Sequence, residues 1–196
     1  MTEFKNTKTA ENLLKSFAGE SQARMRYTYY ASKAKKEGYL QIAEIFIETA
    51  DNEKEHAELF YKQLLKNGMN EAALEIQAEY PIALTDNTLD NLEYAANGEH
   101  EEWTELYPTF ADVADEEGYP EIAKTFRNVA KVEKRHEERY LKLRKNVAEH
   151  KVFKKDGKVF WKCRNCGHIM ESIEAPAKCP VCDHDQKYFE LWKPNY

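Results

Sequence analysis

Apolar residues recur at steps of three, four and seven along four stretches of the first 147 residues. That spacing places side chains on one face of an α-helix. The first stretch aligns Leu13, Phe17, Glu20, Tyr27, Ala31 and Ala34, and the second aligns Ile42, Phe46, Glu53, His56 and Phe60. The third aligns Leu92, Ala95, Glu99, Glu102, Leu106 and Phe110. The fourth aligns Ile122, Phe126, Val129, Glu133, His136, Tyr140 and Leu143. Gly38 and Gly118 fall between paired stretches, where glycine can take the left-handed conformation that ends a helix. The pattern therefore predicts two antiparallel helical hairpins. A longer segment from Asn67-Gly68 to about Asp86, broken by Pro81, would cross between them.

The pattern changes near His150. Val152, Phe153, Val159, Phe160 and Trp161 are followed by paired cysteines and by Pro176, Pro180 and Pro194. This reads as a short β-rich unit. The expected organisation is mainly α: a helical domain over 1–147 and a small C-terminal domain over 148–196.

The two hairpins repeat one another. Glu37-Gly38-Tyr39 recurs as Glu117-Gly118-Tyr119, Ile42-Ala43 as Ile122-Ala123, Phe46 as Phe126, and Glu53 and His56 as Glu133 and His136, all at an offset of 80. Gly19-Glu20 recurs as Gly98-Glu99 at 79, so one residue was gained or lost between these points. Such self-similarity marks a duplicated helix pair.

Composition narrows the function classes. The 196 residues are 42% hydrophobic and 33% charged, with a net charge of -6. That balance argues against a nucleic-acid backbone as partner, which calls for clustered Lys and Arg. The N-terminus MTEFKNTK lacks the apolar core of a secretory signal. No apolar run approaches the ~18 residues of a membrane span. A cytoplasmic location and no membrane partner are expected.

Every predicted helix carries a glutamate within its apolar stripe. An unpaired buried carboxylate costs several kcal/mol or more, on the scale of a domain's whole stability. Four converging ones would also repel each other, and bound cations resolve both problems. Glu53-x-x-His56 and Glu133-x-x-His136 put a carboxylate and an imidazole on one helix face, one turn apart. Repeated at the offset of the duplication, and joined by Glu20 and Glu99, they make the donor set of a two-metal carboxylate bundle. Mixed oxygen and imidazole donors suit iron or manganese, with zinc also possible.

All four cysteines lie in the last third of the chain. Cys163-x-x-Cys166 and Cys179-x-x-Cys182 are separated by 12 residues, the pattern of a tetrahedral four-thiolate metal site. The spacing alone leaves zinc or iron open. No Gly-x-Gly-x-x-Gly is present to bind a nicotinamide directly.

The segments Phe17-Ala18-Gly19-Glu20-Ser21-Gln22-Ala23-Arg24 and Gly98-Glu99-His100-Glu101-Glu102-Trp103, together with the two Glu-x-x-His motifs, resemble the rubrerythrin family. The cysteine unit, with Cys166-Gly167, Cys179-Pro180 and the aromatic residues Phe160, Trp161, Tyr188, Phe189 and Trp192, resembles rubredoxin. The resemblance implies a ferritin-like four-helix bundle followed by a rubredoxin-like domain. It implies two non-haem irons, oxo- or hydroxo-bridged when oxidised, and one rubredoxin-type iron on Cys163, Cys166, Cys179 and Cys182. It adds Glu102 as a further ligand that binds one iron of the oxidised pair. It also makes Tyr27 and Tyr107 hydrogen-bond partners of ligand carboxylates.

The activity implied is reduction of hydrogen peroxide to water, in protection against oxidative stress. Electrons would come ultimately from NAD(P)H through an external redox protein and the rubredoxin-like centre. A head-to-tail homodimer is implied as well. The competing expectation is a ferritin-type ferroxidase or iron-handling protein whose cysteine unit is a structural zinc ribbon.

Overall fold

The computed structural model describes residues 3–195. α1 (Lys8–Lys36) and α2 (Leu40–Lys66) form the first hairpin; α3 (Thr88–Glu101), a π-helical turn (Glu102–Leu106), α4 (Tyr107–Glu116) and α5 (Pro120–Ala148) form the second. The result is the four-helix bundle that the hydrophobic pattern predicts, with α3 and α4 as two halves of one helix. No helix among the described residues is long and apolar enough to cross a membrane.

Helix ends follow from local chemistry. Thr7 and Asn87 cap α1 and α3, accepting from the amides of Ala10 (3.1 Å) and Asp90 (3.0 Å). Gly38 and Gly118 both adopt φ +87°, and the amides of Tyr39 and Tyr119 reach back to the carbonyls of Ala34 and Ala114. A left-handed residue permits that closure, and glycine adopts it without steric cost.

The glutamate before each turn glycine caps the other hairpin. Glu117 accepts from the backbone amides of Lys8 (3.0 Å) and Thr9 (2.7 Å) and from the Thr9 hydroxyl (2.6 Å). Glu37 accepts from the amide of Thr88 (2.9 Å). Each carboxylate also meets the positive end of a helix dipole.

The π turn is the one departure from the predicted third helix. Pro108 has no amide to offer Thr104, and its ring would collide with that carbonyl. The helix widens instead, and the Tyr107 amide bonds to Glu102 five residues back. The extra residue explains the change in repeat offset. Glu20 matches Glu99 at 79, whereas Tyr27 matches Tyr107 at 80, on the far side of the turn.

The core divides into two apolar clusters. One contains Tyr27, Tyr30, Phe46, Leu92 and Tyr140, and the other Leu13, Phe60, Tyr107, Ile122 and Phe126. Each fully buried side chain of this size contributes about 1.5–3 kcal/mol. Between the clusters lies the layer of buried glutamates and histidines.

The C-terminal unit is a three-stranded antiparallel sheet in the order β2-β1-β3: β1 (Lys154–Cys163), β2 (Ile169–Glu174) and β3 (Phe189–Leu191). Trp161 is fully buried there and donates to the Ser172 carbonyl at 3.1 Å. The unit meets the bundle at the α1–α2 turn, where Tyr39 stacks on Phe153 and Glu44 pairs with Arg164.

The crossed caps give a test. Burial pushes the Glu117 carboxyl up, but hydrogen bonds from Thr9 and Lys8 outweigh it and hold the group below its ordinary range. Glu117 therefore contributes stability that is present at neutral pH and lost as pH falls through its lowered value. Glu117→Ala should cost about 1 kcal/mol at pH 7, lowering Tm by a few degrees in thermal melts followed by circular dichroism. The gap to wild type should close in acid. A gap constant down to about pH 2 would contradict the assignment.

Candidate metal centres

α1 supplies Glu20, α2 Glu53 and His56, α3 Glu99, and α5 Glu133 and His136. All six are buried, the most exposed being His56 at 7%. They form two overlapping groups, Glu20–Glu53–His56–Glu133 and Glu53–Glu99–Glu133–His136, each with its donor atoms within 4.8 Å of one another. Glu53 and Glu133 belong to both. Their oxygens divide between the two groups. Glu53 Oε2 and Glu133 Oε1 each lie 2.8 Å from His56 Nδ1. Glu53 Oε1 and Glu133 Oε2 lie 3.2 Å and 2.8 Å from His136 Nδ1. Glu20 completes the His56 side at 4.0 Å and Glu99 the His136 side at 3.6 Å.

This donor set fits a pair of irons. Glu20 Oε2, Glu53 Oε1, Glu99 Oε2, both Glu133 oxygens and His136 Nδ1 are buried with no hydrogen-bond partner among the described residues. The short distances between them are therefore approaches to a common centre without hydrogen-bond direction. Orphaned buried donors of this number are not tolerated in an apolar core unless a cation satisfies them. Two groups of three carboxylates and one imidazole, sharing two bridging carboxylates, provide two such places.

The metal-free electrostatics show the same demand for positive charge. Burial pushes Glu20 well above the ordinary carboxylate range, and the charges of Glu102, Glu133 and Glu53 add to it. Burial and then the Glu53 charge raise Glu99 to about 8. Burial acts in the same direction on Glu53, but His136 and His56 outweigh it and bring that group down to about 2. For the imidazoles burial acts downward, and the carboxylates of Glu133 and Glu53 overcome it. His56 rises to about 10 and His136 to about 12. Each shift marks a demand for positive charge among the clustered carboxylates.

Two tyrosines hold the outer carboxylates in a reciprocal arrangement. Tyr27 of α1 donates to Glu99 Oε1 at 2.6 Å, and Tyr107 of α4 donates to Glu20. Both rings are fully buried, and burial followed by the partner carboxylate keeps both phenols protonated. Glu102 is placed differently from the other predicted residues. It stands outside both donor groups, half-buried on the wall of a cavity. Beside it, Trp103 and His100 both bond to Glu137, at 2.5 Å and 2.9 Å, a link between α5 and the π turn that no sequence motif signalled.

The cysteines form a second centre. Cys163 Sγ lies 3.7 Å from Cys182 Sγ, and Cys166 Sγ 3.7 Å from Cys179 Sγ. Thiolates arranged tetrahedrally about a metal at ~2.3 Å are separated by about 3.8 Å. The two halves are built alike. Gly167 donates to the Cys163 carbonyl and Asp183 to that of Cys179, with Gly167 and Asp183 both left-handed. The sulfurs share protons unequally. Burial raises Cys182, but the His184 amide and neighbouring sulfurs outweigh it and bring that thiol down to about 6. The His168 amide lowers Cys166, but burial and the neighbouring sulfurs outweigh it and push that thiol up to about 12. The set fits one rubredoxin-type iron.

Comparison with known proteins agrees with both centres. The rubrerythrin family profile matches residues 11–144, and that of the rubrerythrin rubredoxin-like domain matches residues 161–190. The chain is 61% identical to a rubrerythrin of Clostridium perfringens and 46% identical to one of Nitratidesulfovibrio vulgaris, in each case over the full length of both chains. Among solved structures, fully reduced, all-ferrous nigerythrin superposes with a TM-score of 0.63 at 32% identity, covering 95% of this chain and 90% of that one. A Desulfovibrio desulfuricans bacterioferritin superposes at 0.66 and 23% identity over 74% of this chain and 82% of that one, a likeness of fold.

Loading the pair should release protons. The carboxylates of Glu133 and Glu53 hold the His56 and His136 imidazoles up against burial, and burial holds Glu99 and Glu20 up as well. All must lose protons to act as donors, so apparent ferrous affinity should rise with pH. Anaerobic titration of the stripped protein in weak buffer should release roughly two or more protons per pair. Loading without proton release would contradict this charge state.

Proposed function

This chain belongs to the rubrerythrin family of iron-binding oxidoreductases, and on that premise we propose that it reduces hydrogen peroxide to water. The observation that carries the reading is the presence, in one chain, of two buried carboxylate-imidazole groups that share Glu53 and Glu133 and of a separate group of four cysteines. When bound, an iron pair would supply the two electrons consumed in H2O2 + 2 e− + 2 H+ → 2 H2O, and Cys163, Cys166, Cys179 and Cys182 would hold the one-electron iron suited to restoring them.

The protein's part is positioning and charge. Glu53 and Glu133 each offer one oxygen to either side, fixing the separation of the two places. Tyr27 and Tyr107 fix the orientation of Glu99 and Glu20 through their hydroxyls. We assign Glu102 the role of a fifth carboxylate. Two ferrous ions carry four positive charges, and Glu20, Glu53, Glu99 and Glu133 cancel them. Oxidation adds charge, and Glu102 is the further anion at hand, one turn from Glu99.

The functional units are taken as 1–147 and 148–196. Electrons are supplied ultimately by NAD(P)H through an external redox protein, in a cytoplasmic, head-to-tail homodimer that protects against oxidative stress. A ferritin-type iron-handling role is less well supported, because it gives the four-thiolate unit no task.

Two variants test the reading. Cys163→Ser should remove the red ferric-thiolate absorption and leave the helical content unchanged, since no cysteine lies in the bundle. Its reduced pair should still consume peroxide once, while sustained turnover with a protein donor falls at least about tenfold. Undiminished sustained turnover would sink the relay.

Glu102→Ala should retain both irons of the pair, because neither donor group includes it. Turnover per bound pair should drop by about tenfold or more, with the reoxidised state affected most. Wild-type turnover at wild-type iron content would return Glu102 to the role of a surface acid.

A further inference from the structure

Of the seven glycines, Gly19 and Gly98 lie inside helices. They occupy equivalent places in the repeat, immediately before Glu20 and Glu99. After proline, glycine is the least favourable residue for a helix interior. Packing does not require it here. A Cβ on Gly19 would come within 3.6 Å of Tyr80 Cε1, and one on Gly98 within 3.9 Å of Arg26 Nη2, both ordinary contacts.

What the missing side chains leave open is a cavity of about 330 Å³ between α1 and α3. Both glycines line it, Tyr80 of the crossover segment roofs it, and Glu102 and Tyr107 border it. The roof is tied down: Tyr80 donates to the Lys15 carbonyl at 2.9 Å, and Tyr30 donates to that of Ala83. At the Glu102 and Tyr107 wall the cavity meets the metal layer, since Tyr107 bonds to Glu20. Glu102 is the one site glutamate that is half-buried as a residue, and burial followed by the charge of Glu99 still pushes its carboxyl well above the ordinary range. Above and below the layer the two apolar clusters close the bundle. Gln22 and Arg26 also line the cavity.

We propose that this cavity is the route by which peroxide reaches the carboxylate pair, and that Gly19, Gly98 and Tyr80 set its bore, admitting small hydroperoxides and excluding bulky ones. The proposal deepens the peroxidase reading and rests on it for the identity of the substrate. A narrow passage whose walls are largely apolar, with Gln22, Arg26, Glu102 and Tyr107 as its polar points, suits a small neutral molecule that both donates and accepts hydrogen bonds. A bulky alkyl hydroperoxide must displace the roof.

The test uses iron-loaded full-length protein and the variants Gly98→Leu, Gly98→Ala and Tyr80→Ala. Two rates are measured: stopped-flow oxidation of the reduced pair by hydrogen peroxide and by tert-butyl hydroperoxide, and association of azide with the oxidised pair, followed by its visible absorption. Iron content and Tm are measured alongside. Gly98→Leu should slow both hydrogen peroxide and azide by roughly tenfold or more at unchanged iron content. Tyr80→Ala should speed tert-butyl hydroperoxide at least about fivefold while hydrogen peroxide stays within about twofold.

Wild-type rates in Gly98→Leu would overturn the route. If that variant does not fold, Gly98→Ala and Tyr80→Ala decide the matter, and an unchanged ratio of the two peroxide rates in both would overturn the proposal. If the wild-type reduced pair does not react with peroxide at all, the peroxidase reading fails. The azide rates then still show whether the cavity is the way in.

Discussion

Four carboxylates in the middle of an apolar core are the constraint from which the rest of the structure follows. Glu20, Glu53, Glu99 and Glu133 are each 0 or 1% exposed, and no arrangement of helices makes that tolerable without compensating positive charge. The same carboxylates hold the His56 and His136 imidazoles up, and two divalent cations would balance the four charges. The bundle is therefore built around a charge balance as much as around hydrophobic burial, and the two apolar clusters serve as insulating layers on either side of it.

The means of holding those carboxylates is a near-twofold repetition. What Tyr27 does for Glu99, Tyr107 does for Glu20. What Glu37 does for the start of α3, Glu117 does for the start of α1. The bridging pair Glu53 and Glu133, with their histidines, completes the same symmetry. It is broken next to the metal layer. The π turn adds a residue to the second hairpin, and Glu102 stands at the place that Ala23 occupies in the first, at the offset of 79 that relates Glu20 to Glu99. The two halves of the bundle are thus chemically unequal, the second hairpin alone carrying the extra carboxylate.

Much of this was legible in the sequence, because the relevant physics is periodic. A helix repeats every 3.6 residues, so the apolar stripes located the helices and showed that Glu20, Glu53, Glu99 and Glu133 fall on the wrong face for an ordinary glutamate. The cysteine spacing was equally local. Less legible was whatever depends on contacts between elements. The shared role of Glu53 and Glu133 needs the orientation of each carboxylate across the bundle. The capping by Glu37 and Glu117 was visible only as a repeated Glu-Gly-Tyr. The offset shift from 79 to 80 did register the π turn. Its cause, Pro108 inside a helix, was present in the sequence, but a pattern of steps of three and four cannot distinguish a widened turn from a deleted residue. Glu102 was expected on the face of its neighbour Glu99, whose charge does act on it, but its distance from the donor groups is a tertiary property that spacing does not encode.

The crossed caps have a consequence for how the molecule holds together. A contact made by residue i with j and repeated by the counterpart of i with the counterpart of j is the signature of an isologous interface, the kind that joins identical subunits. Here both partners lie on one chain. Each hairpin caps the start of its own first helix only in part, through Thr7 or Asn87, and its neighbour's glutamate supplies the rest. In assembly terms the bundle is a dimer of hairpins that happens to be covalently tethered. The tether takes no part in the reciprocal contacts.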